Sequence, residues 1–94
     1  MASGNASLVL TELVRHEEFP KYAHALVDLL GGSIQTEANS AAERVWSVTI
    51  DGALFWLSWE DYPPGVSLDA RDSKASKMLP AIRERLLAGR RTTL

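Results

Sequence analysis

The pair Asp51-Gly52 constrains the fold most, because alternating apolar residues flank it in segments 44–50 and 53–60. The pair is typical of the two-residue type I′ turn, whose central residues need positive φ angles. Such a turn fixes which residues face each other across the two strands. The predicted pairs are Ile50–Ala53, Val48–Phe55, Trp46–Leu57 and Arg44–Trp59 on one face, and Thr49–Leu54, Ser47–Trp56 and Val45–Ser58 on the other. The first face is predicted to be the core, and the second is half polar.

Capping and turn signals divide the rest of the chain into strands and helices. Phe19-Pro20 suits a helix start, and Gly31-Gly32 suits its end. Asp72-Ser73 offers N-cap oxygens to a second helix, in which Pro80 is expected to distort the first turn and Gly89 to form the cap. The predicted elements are a strand at 7–14, a helix at 20–30, a strand at 33–37, the hairpin at 44–60, a strand at 66–70 and a helix at 74–88.

The resulting order, β-α-β-β-β-β-α, predicts an α+β fold with a mostly antiparallel sheet. Two amphipathic helices can cover only one face of such a sheet, so both are predicted to pack on the face that carries Trp46. Segment 61–65 is expected to be a connecting loop, because Pro63 and Pro64 lack the N–H groups that a strand ladder needs.

Length and composition favour a single globular domain. The chain has 94 residues, of which 46% are hydrophobic and 23% charged, so one core is expected over residues 1–94, with flexible ends at 1–6 and 90–94. The absence of cysteine excludes disulfides and thiol chemistry. Because neither a secretory leader nor an apolar run of membrane-spanning length is visible, we expect a cytoplasmic protein without a membrane segment.

Charge is divided unevenly along the chain. Residues 1–70 carry ten acids against three bases, whereas residues 71–94 carry seven bases against two acids, and the net charge is −2. The two parts either attract separate partners or neutralise each other within the fold. Nucleic acid is a disfavoured partner, because the chain is acidic overall and has no recognised nucleic-acid-binding motif.

Patterns typical of catalysis are missing. The sequence lacks the Gly-x-Ser-x-Gly motif, the glycine-rich phosphate loop and the dinucleotide fingerprint. His16-Glu17 resembles the start of a zincin motif, but Pro20 stands where its second histidine is required. His24 and Asp28, four residues apart, are expected to lie on a solvated helix face. We therefore expect no cofactor and no metal, and His16 is interpreted as a surface residue of a linker.

Trp56 is the first candidate for function. The register places it with Leu54 and Val45 on the face that the helices cannot cover, and an exposed apolar cluster on a sheet commonly marks an interface. We expect these three residues to bind a partner protein or a second copy of the chain. The alternative is that the N-terminal arm or the proline-containing loop covers Trp56.

The end of the hairpin is the second candidate. Glu60, Asp61 and Tyr62 precede two prolines, which stiffen the segment and lower the entropy lost on binding. We expect these three residues to form the rim of the interaction surface. The alternative is a small enzyme or ligand binder, in which Glu60 and Asp61 converge with Asp69 and Arg71 in a pocket beside Tyr62. Arg44, opposite Trp59, is expected to form a cation–π contact.

The stretch from Arg44 to Asp72 also resembles a known group of proteins. Its Trp-bearing strand, Asp-Gly turn, Phe-Trp-Leu-Ser-Trp strand, Glu-Asp-Tyr-Pro-Pro segment and Val-Ser-Leu-Asp segment before a capped helix look like small bacterial proteins grouped as domains of unknown function. This resemblance implies a small cytoplasmic α+β protein and transfers no catalytic residue. In size and acidity the chain is also similar to immunity proteins that block toxins through acidic, aromatic surfaces.

Overall fold

The computed structural model describes residues 6–11, 14–61 and 64–92. Its elements are β1 (Ser7–Thr11), a 3₁₀ turn (His16–Glu18), α1 (Phe19–Leu29), β2 (Ser33–Asn39), β3 (Glu43–Ile50), β4 (Ala53–Asp61), β5 (Pro64–Ala70) and α2 (Ser73–Thr92). The five strands form one antiparallel sheet in the order β1-β5-β4-β3-β2. The predicted α+β fold and its order β-α-β-β-β-β-α are confirmed.

The β3–β4 hairpin has the predicted register at every pair, from Ile50 opposite Ala53 to Arg44 opposite Trp59. Asp51 and Gly52 have φ angles of 51° and 78°, as a type I′ turn requires. The Lys74 Nζ of α2 donates a hydrogen bond of 2.8 Å to the Asp51 carbonyl oxygen. The turn is therefore tied to the start of the second helix.

The core lies between the helices and one face of the sheet. Trp46, its largest fully buried side chain, is 1% exposed and makes an edge-to-face contact with Phe19 at 5.0 Å between ring centroids. The Trp46 Nε1 donates to the Asn39 Oδ1 at 2.9 Å, so the buried indole N–H is paired. The other buried apolar residues of the hairpin are Val48, Ile50, Ala53, Phe55, Leu57 and Trp59, and those of the helices are Phe19, Ala23, Leu26, Val27, Ala75, Leu79 and Ile82.

Two glycines end α1 for different reasons. Gly31 has a φ of 68°, and its N–H donates to the Asp28 carbonyl, while the Gly32 N–H donates to the Val27 carbonyl. These two bonds form a Schellman motif. At Gly32 a Cβ would lie 2.4 Å from the Thr49 carbonyl oxygen, so this glycine allows the chain to pass close to β3.

The predicted loop at 61–65 is wrong at both ends, because β4 continues through Asp61 and β5 begins at Pro64 opposite it. A strand accepts proline at its first residue. The described pairing of β1 with β5 ends at Val66, so it does not require an N–H group from Pro64. β2 also runs two residues beyond its predicted end and contains a bulge between Ile34 and Thr36.

The second helix begins at Ser73, one residue before its predicted start, and ends later than predicted. The Asp72 Oδ1 accepts a bond of 2.7 Å from the Ala75 N–H, which confirms the N-cap. The helix passes Pro80 and continues through Gly89 to Thr92, so the predicted end at 88 is wrong. A glycine within a helix costs only about 1 kcal/mol, which the flanking helical residues can offset.

Candidate interaction face

The open face of the sheet is the side opposite the helices, and strand pairing arranges its side chains in rows that cross the sheet. The Ser58 row contains Ala38, Val45, Ser58, Ser67 and Val9, and the Trp56 row contains Thr36, Ser47, Trp56, Asp69 and Ser7. Beyond the Trp56 row, Thr49 pairs with Leu54; beyond the Ser58 row, Glu43 pairs with Glu60. Trp56 is the one aromatic residue in these rows.

The apolar residues predicted for this face lie on it. Trp56 is 37% exposed and Leu54 is 38% exposed, while Val45 is half-buried beside Ser58. These exposures follow from strand alternation, because Phe55 and Leu57 on either side of Trp56 are fully buried. Trp56 is thus accessible within the described part of the chain.

Arg71 is a member of this face that the sequence did not predict to lie beside Trp56. Its guanidinium carbon lies 3.9 Å from the centroid of the Trp56 ring, and its Nη1 donates a long bond of 3.4 Å to the Ser47 Oγ. The Arg71 N–H donates to the Leu54 carbonyl, which holds the backbone beside β4. The arginine therefore covers part of the indole with a cation that remains exposed.

The predicted cation–π contact between Arg44 and Trp59 is wrong. The Arg44 guanidinium donates instead to the His16 carbonyl at 3.0 Å and to the Asn39 Oδ1 at 2.8 Å. Trp59 packs edge-to-face on the His16 ring at 5.2 Å and donates from Nε1 to the Val14 carbonyl at 2.6 Å. Both residues thus bond to the segment between β1 and α1, and Arg44 also bonds to Asn39 at the end of β2.

His16 is consequently more than a surface residue of a linker. Its Nε2 lies 2.7 Å from the Ser40 carbonyl oxygen, and its Nδ1 lies 3.4 Å from an Arg44 nitrogen that can donate to it. This pairing assigns the proton to Nε2 in the neutral ring. His16 therefore fastens the 3₁₀ turn to the β2–β3 connection.

The acidic rim residues are separated by strand alternation. Glu60 lies on the open face directly opposite Glu43, whereas Asp61 is on the helix side of the strand end, and all three are exposed. Among the described residues, neither Glu43 nor Glu60 takes part in an ion pair. Tyr62, the third predicted rim residue, lies outside the described residues.

The carboxylates required by the catalytic alternative are also far apart. Asp69 pairs with Trp56, four residues before Glu60 on β4, which corresponds to about 13 Å along the strand. Asp69 instead accepts a hydrogen bond from the Ser7 hydroxyl. Within the described ranges, no group of three His, Cys, Asp or Glu residues is arranged to hold a metal ion.

An apolar groove of about 590 Å³ lies in the helix layer, away from the open face. It is bounded by β1, α1 and α2, and its lining includes Leu8, Leu10, Tyr22, Leu29, Arg83 and Leu86. Leu29 is 53% exposed there. A second cavity of about 360 Å³ lies near the start of β1 and α2. None of Glu60, Asp61, Asp69 and Arg71 lines either cavity.

Fold and surface together define a small α+β domain with one sheet face covered by helices and the other open, bearing Trp56 and Arg71. The chain belongs to the family described as protein of unknown function (DUF3630), whose model matches residues 1–84. No curated protein and no solved structure matches the chain. Neither helix in the described ranges is both long and apolar enough to cross a membrane.

Proposed function

We propose that this chain is a non-enzymatic protein-interaction domain that acts in the bacterial cytoplasm and binds protein through the open face. The observation that carries the proposal is the exposure of Trp56 and Leu54 on the central strand of a sheet whose opposite side holds the core. Trp and Arg are the residues most enriched among those that dominate binding energy, and here Arg71 and Trp56 are stacked together.

The surroundings of Trp56 resemble an interface more than a solvated sheet surface. Ser47 and Ser58 are almost fully buried on this face although both are polar. Glu43 and Glu60 face each other in the row at one end of the open face, where they supply a charged edge beside the apolar residues. Carboxylates on the face also disfavour nucleic acid, because they repel the phosphate backbone.

The distance between Glu60 and Asp69 argues against the catalytic alternative. General acid–base catalysis by two carboxylates requires both to reach one substrate, and the strand register separates them by four residues. A protein partner, in contrast, can contact both residues at once, because a typical interface includes about 20 to 30 residues on each side.

The proposal is tested by comparing wild type with Trp56→Ala in affinity capture from the native cell, after light scattering has established the oligomeric state. Trp56→Ala is expected to lose the captured partner or the self-association, with little change in the thermal unfolding midpoint. Leu29→Ala is a matched control, because it removes an exposed apolar side chain from the helix layer instead.

Two results would contradict the proposal. If Trp56→Ala lowered the unfolding midpoint sharply, Trp56 would belong to the core. If Trp56→Ala left association and capture unchanged, as Leu29→Ala is expected to do, the open face would have no part in binding.

A further inference from the structure

Arg71 and the Glu43–Glu60 pair are separated along the strand direction of the open face, while the Asp69 carboxylate in the Trp56 row accepts a hydrogen bond from the Ser7 hydroxyl. The Arg71 guanidinium lies over Trp56, in the Trp56 row. The Glu43–Glu60 pair lies two rows away on the other side of the Ser58 row. The Ser58 row is therefore midway between the cation and the carboxylates.

The carboxylate pair has no neutralising neighbour among the described residues. Like charges directly opposite each other on adjacent strands are destabilising, and neither Glu43 nor Glu60 is ion-paired in the described ranges. The position beside Glu60 on β5 is Gly65, which has no side chain to compensate the charge. A cation supplied by a partner would relieve this repulsion.

We propose that the partner of the open face is a second copy of this chain, related by a two-fold axis that runs across the strands at the Ser58 row. This proposal rests on the proposed function of the open face. A two-fold axis there places Arg71 of each copy over Glu60 of the other, because the two residues lie at equal distances on opposite sides of the Ser58 row. The interface is self-complementary, as a two-fold dimer requires.

Side-chain size is compatible with this packing. The Ser58 row would meet its own copy, and its members are all small or medium in size: Ala38, Val45, Ser58, Ser67 and Val9. Small side chains at the axis allow two sheets to approach to the usual separation of about 10 Å. Trp56 of each copy then lies against the Glu60 row of the other, where Gly65 leaves space.

The area of the face indicates a weak dimer. Five strands spaced about 4.8 Å apart and four rows spaced about 6.7 Å apart give roughly 640 Å² per copy. The total of roughly 1,300 Å² is at the lower end of the range for a specific interface. We therefore expect a dimer in concentration-dependent exchange with the monomer.

Charge reversal tests the arrangement by sedimentation velocity over a range of concentrations. Arg71→Glu places two carboxylates against each other in the proposed dimer, and Glu60→Arg places two cations against each other. Each variant alone is expected to dimerise at least tenfold more weakly than wild type. An equimolar mixture is expected to regain the dimer, because both cross-contacts then join opposite charges.

Controls separate folding and net charge from docking. Lys77→Glu changes the charge by as much as Arg71→Glu on an exposed position of α2 and is expected to leave dimerisation unchanged. Thermal melts show whether each variant is folded. If Arg71→Glu is unfolded, Glu60→Arg still tests the proposal, because its new cation lies opposite Glu43 and is expected to leave the fold intact.

Three results would overturn the second-copy proposal: a wild-type chain that stays monomeric at every concentration, single variants that dimerise like wild type, or a mixture that fails to regain the dimer. A monomeric wild type would leave the function of the open face to be decided by capture with Trp56→Ala. A dimer unaffected by Trp56→Ala as well as by charge reversal would contradict both proposals.

Discussion

The guanidinium of Arg71 stacks on the indole of Trp56, with 3.9 Å between the guanidinium carbon and the ring centroid. The contact joins the end of β5 to the middle of β4 on the open face of the sheet. It limits the side-chain freedom of both residues, and an exposed contact of this type contributes about 0.5–1 kcal/mol. Because less freedom remains to be lost, the pair is better prepared to bind a partner.

The stacking predicts how the three tryptophans respond to a soluble quencher. Trp46 and Trp59 are 1% and 6% exposed, whereas Trp56 is 37% exposed, so Trp56 should account for most of the quenching by acrylamide. Trp56→Phe is expected to reduce the slope of the quenching curve strongly. Arg71→Ala is expected to raise that slope, because it uncovers one side of the ring. The measurements are made at dilutions where the chain is monomeric, because a dimer through the open face would cover Trp56. A quenching slope that is unchanged in both variants would contradict the exposure of Trp56.

Asn39 joins two residues that the core depends on. Its Oδ1 accepts hydrogen bonds from Trp46 Nε1 at 2.9 Å and from Arg44 Nη1 at 2.8 Å. Asn39→Ala leaves the buried indole N–H without an acceptor, which is expected to lower the free energy of unfolding by about 1–3 kcal/mol. Asn39→Asp keeps the acceptor beside a cation and should cost much less. Denaturant unfolding of the two variants checks this, and equal losses would show that the acceptor is unimportant.

Glu18 predicts a dependence of stability on pH. A hydrogen bond from the Arg15 backbone N–H lowers the pKa of the Glu18 carboxyl. A carboxyl whose pKa is lower in the folded state stabilises that state above its unfolded pKa, and the contribution is lost as the pH falls through the folded pKa. Glu18→Gln should therefore lower the unfolding midpoint at neutral pH, and the difference from wild type should shrink under acid conditions.

Glu17→Gln is the matched control for that experiment. Glu17 is on the same turn, and its carboxylate forms an ion pair with the Arg15 side chain, with 3.9 Å between Glu17 Oε2 and Arg15 Nε. The two measurements are made at about pH 7 and about pH 3, on either side of the usual pKa of a glutamate carboxyl. A Glu18→Gln effect of the same size at both values would contradict the role assigned to the carboxylate.

The hairpin was predictable because its determinants are local. Asp51 and Gly52 both have positive φ, and few other residue pairs accept such a turn. Once the turn is fixed, alternation alone assigns Trp46 to the core and Trp56 to the open face. The sequence therefore located the centre of the candidate surface as reliably as it located the turn.

The partners of the aromatic rings were not predictable, because they depend on distant segments. Arg71 reaches Trp56 because β5 lies beside β4. Within the described ranges, no turn residue fixes the register of these two strands. Likewise His16, rather than Arg44, covers Trp59, because the 3₁₀ turn folds back over the sheet. Strand pairing alone predicted the wrong contact for Arg44, because its guanidinium donates hydrogen bonds to the His16 carbonyl and to Asn39 instead.

The two glycines after α1 predict different responses to alanine. Gly32→Ala brings a Cβ to 2.4 Å from the Thr49 carbonyl oxygen and 2.9 Å from the Ile50 Cγ1, so β3 or the helix end must shift. Overpacking of this kind typically costs about 1–3 kcal/mol. At Gly31 the space is open, and the cost of alanine is only that of a positive φ, about 1 kcal/mol.

Asparagine separates the two causes at the same positions. Gly31→Asn should be nearly neutral in denaturant unfolding, because asparagine tolerates the left-handed conformation of a helix cap. Gly32→Asn should destabilise at least as much as Gly32→Ala, because any Cβ meets the Thr49 carbonyl oxygen. If Gly31→Asn and Gly32→Asn proved equally harmful, the close approach of Gly32 to β3 would not be the cause.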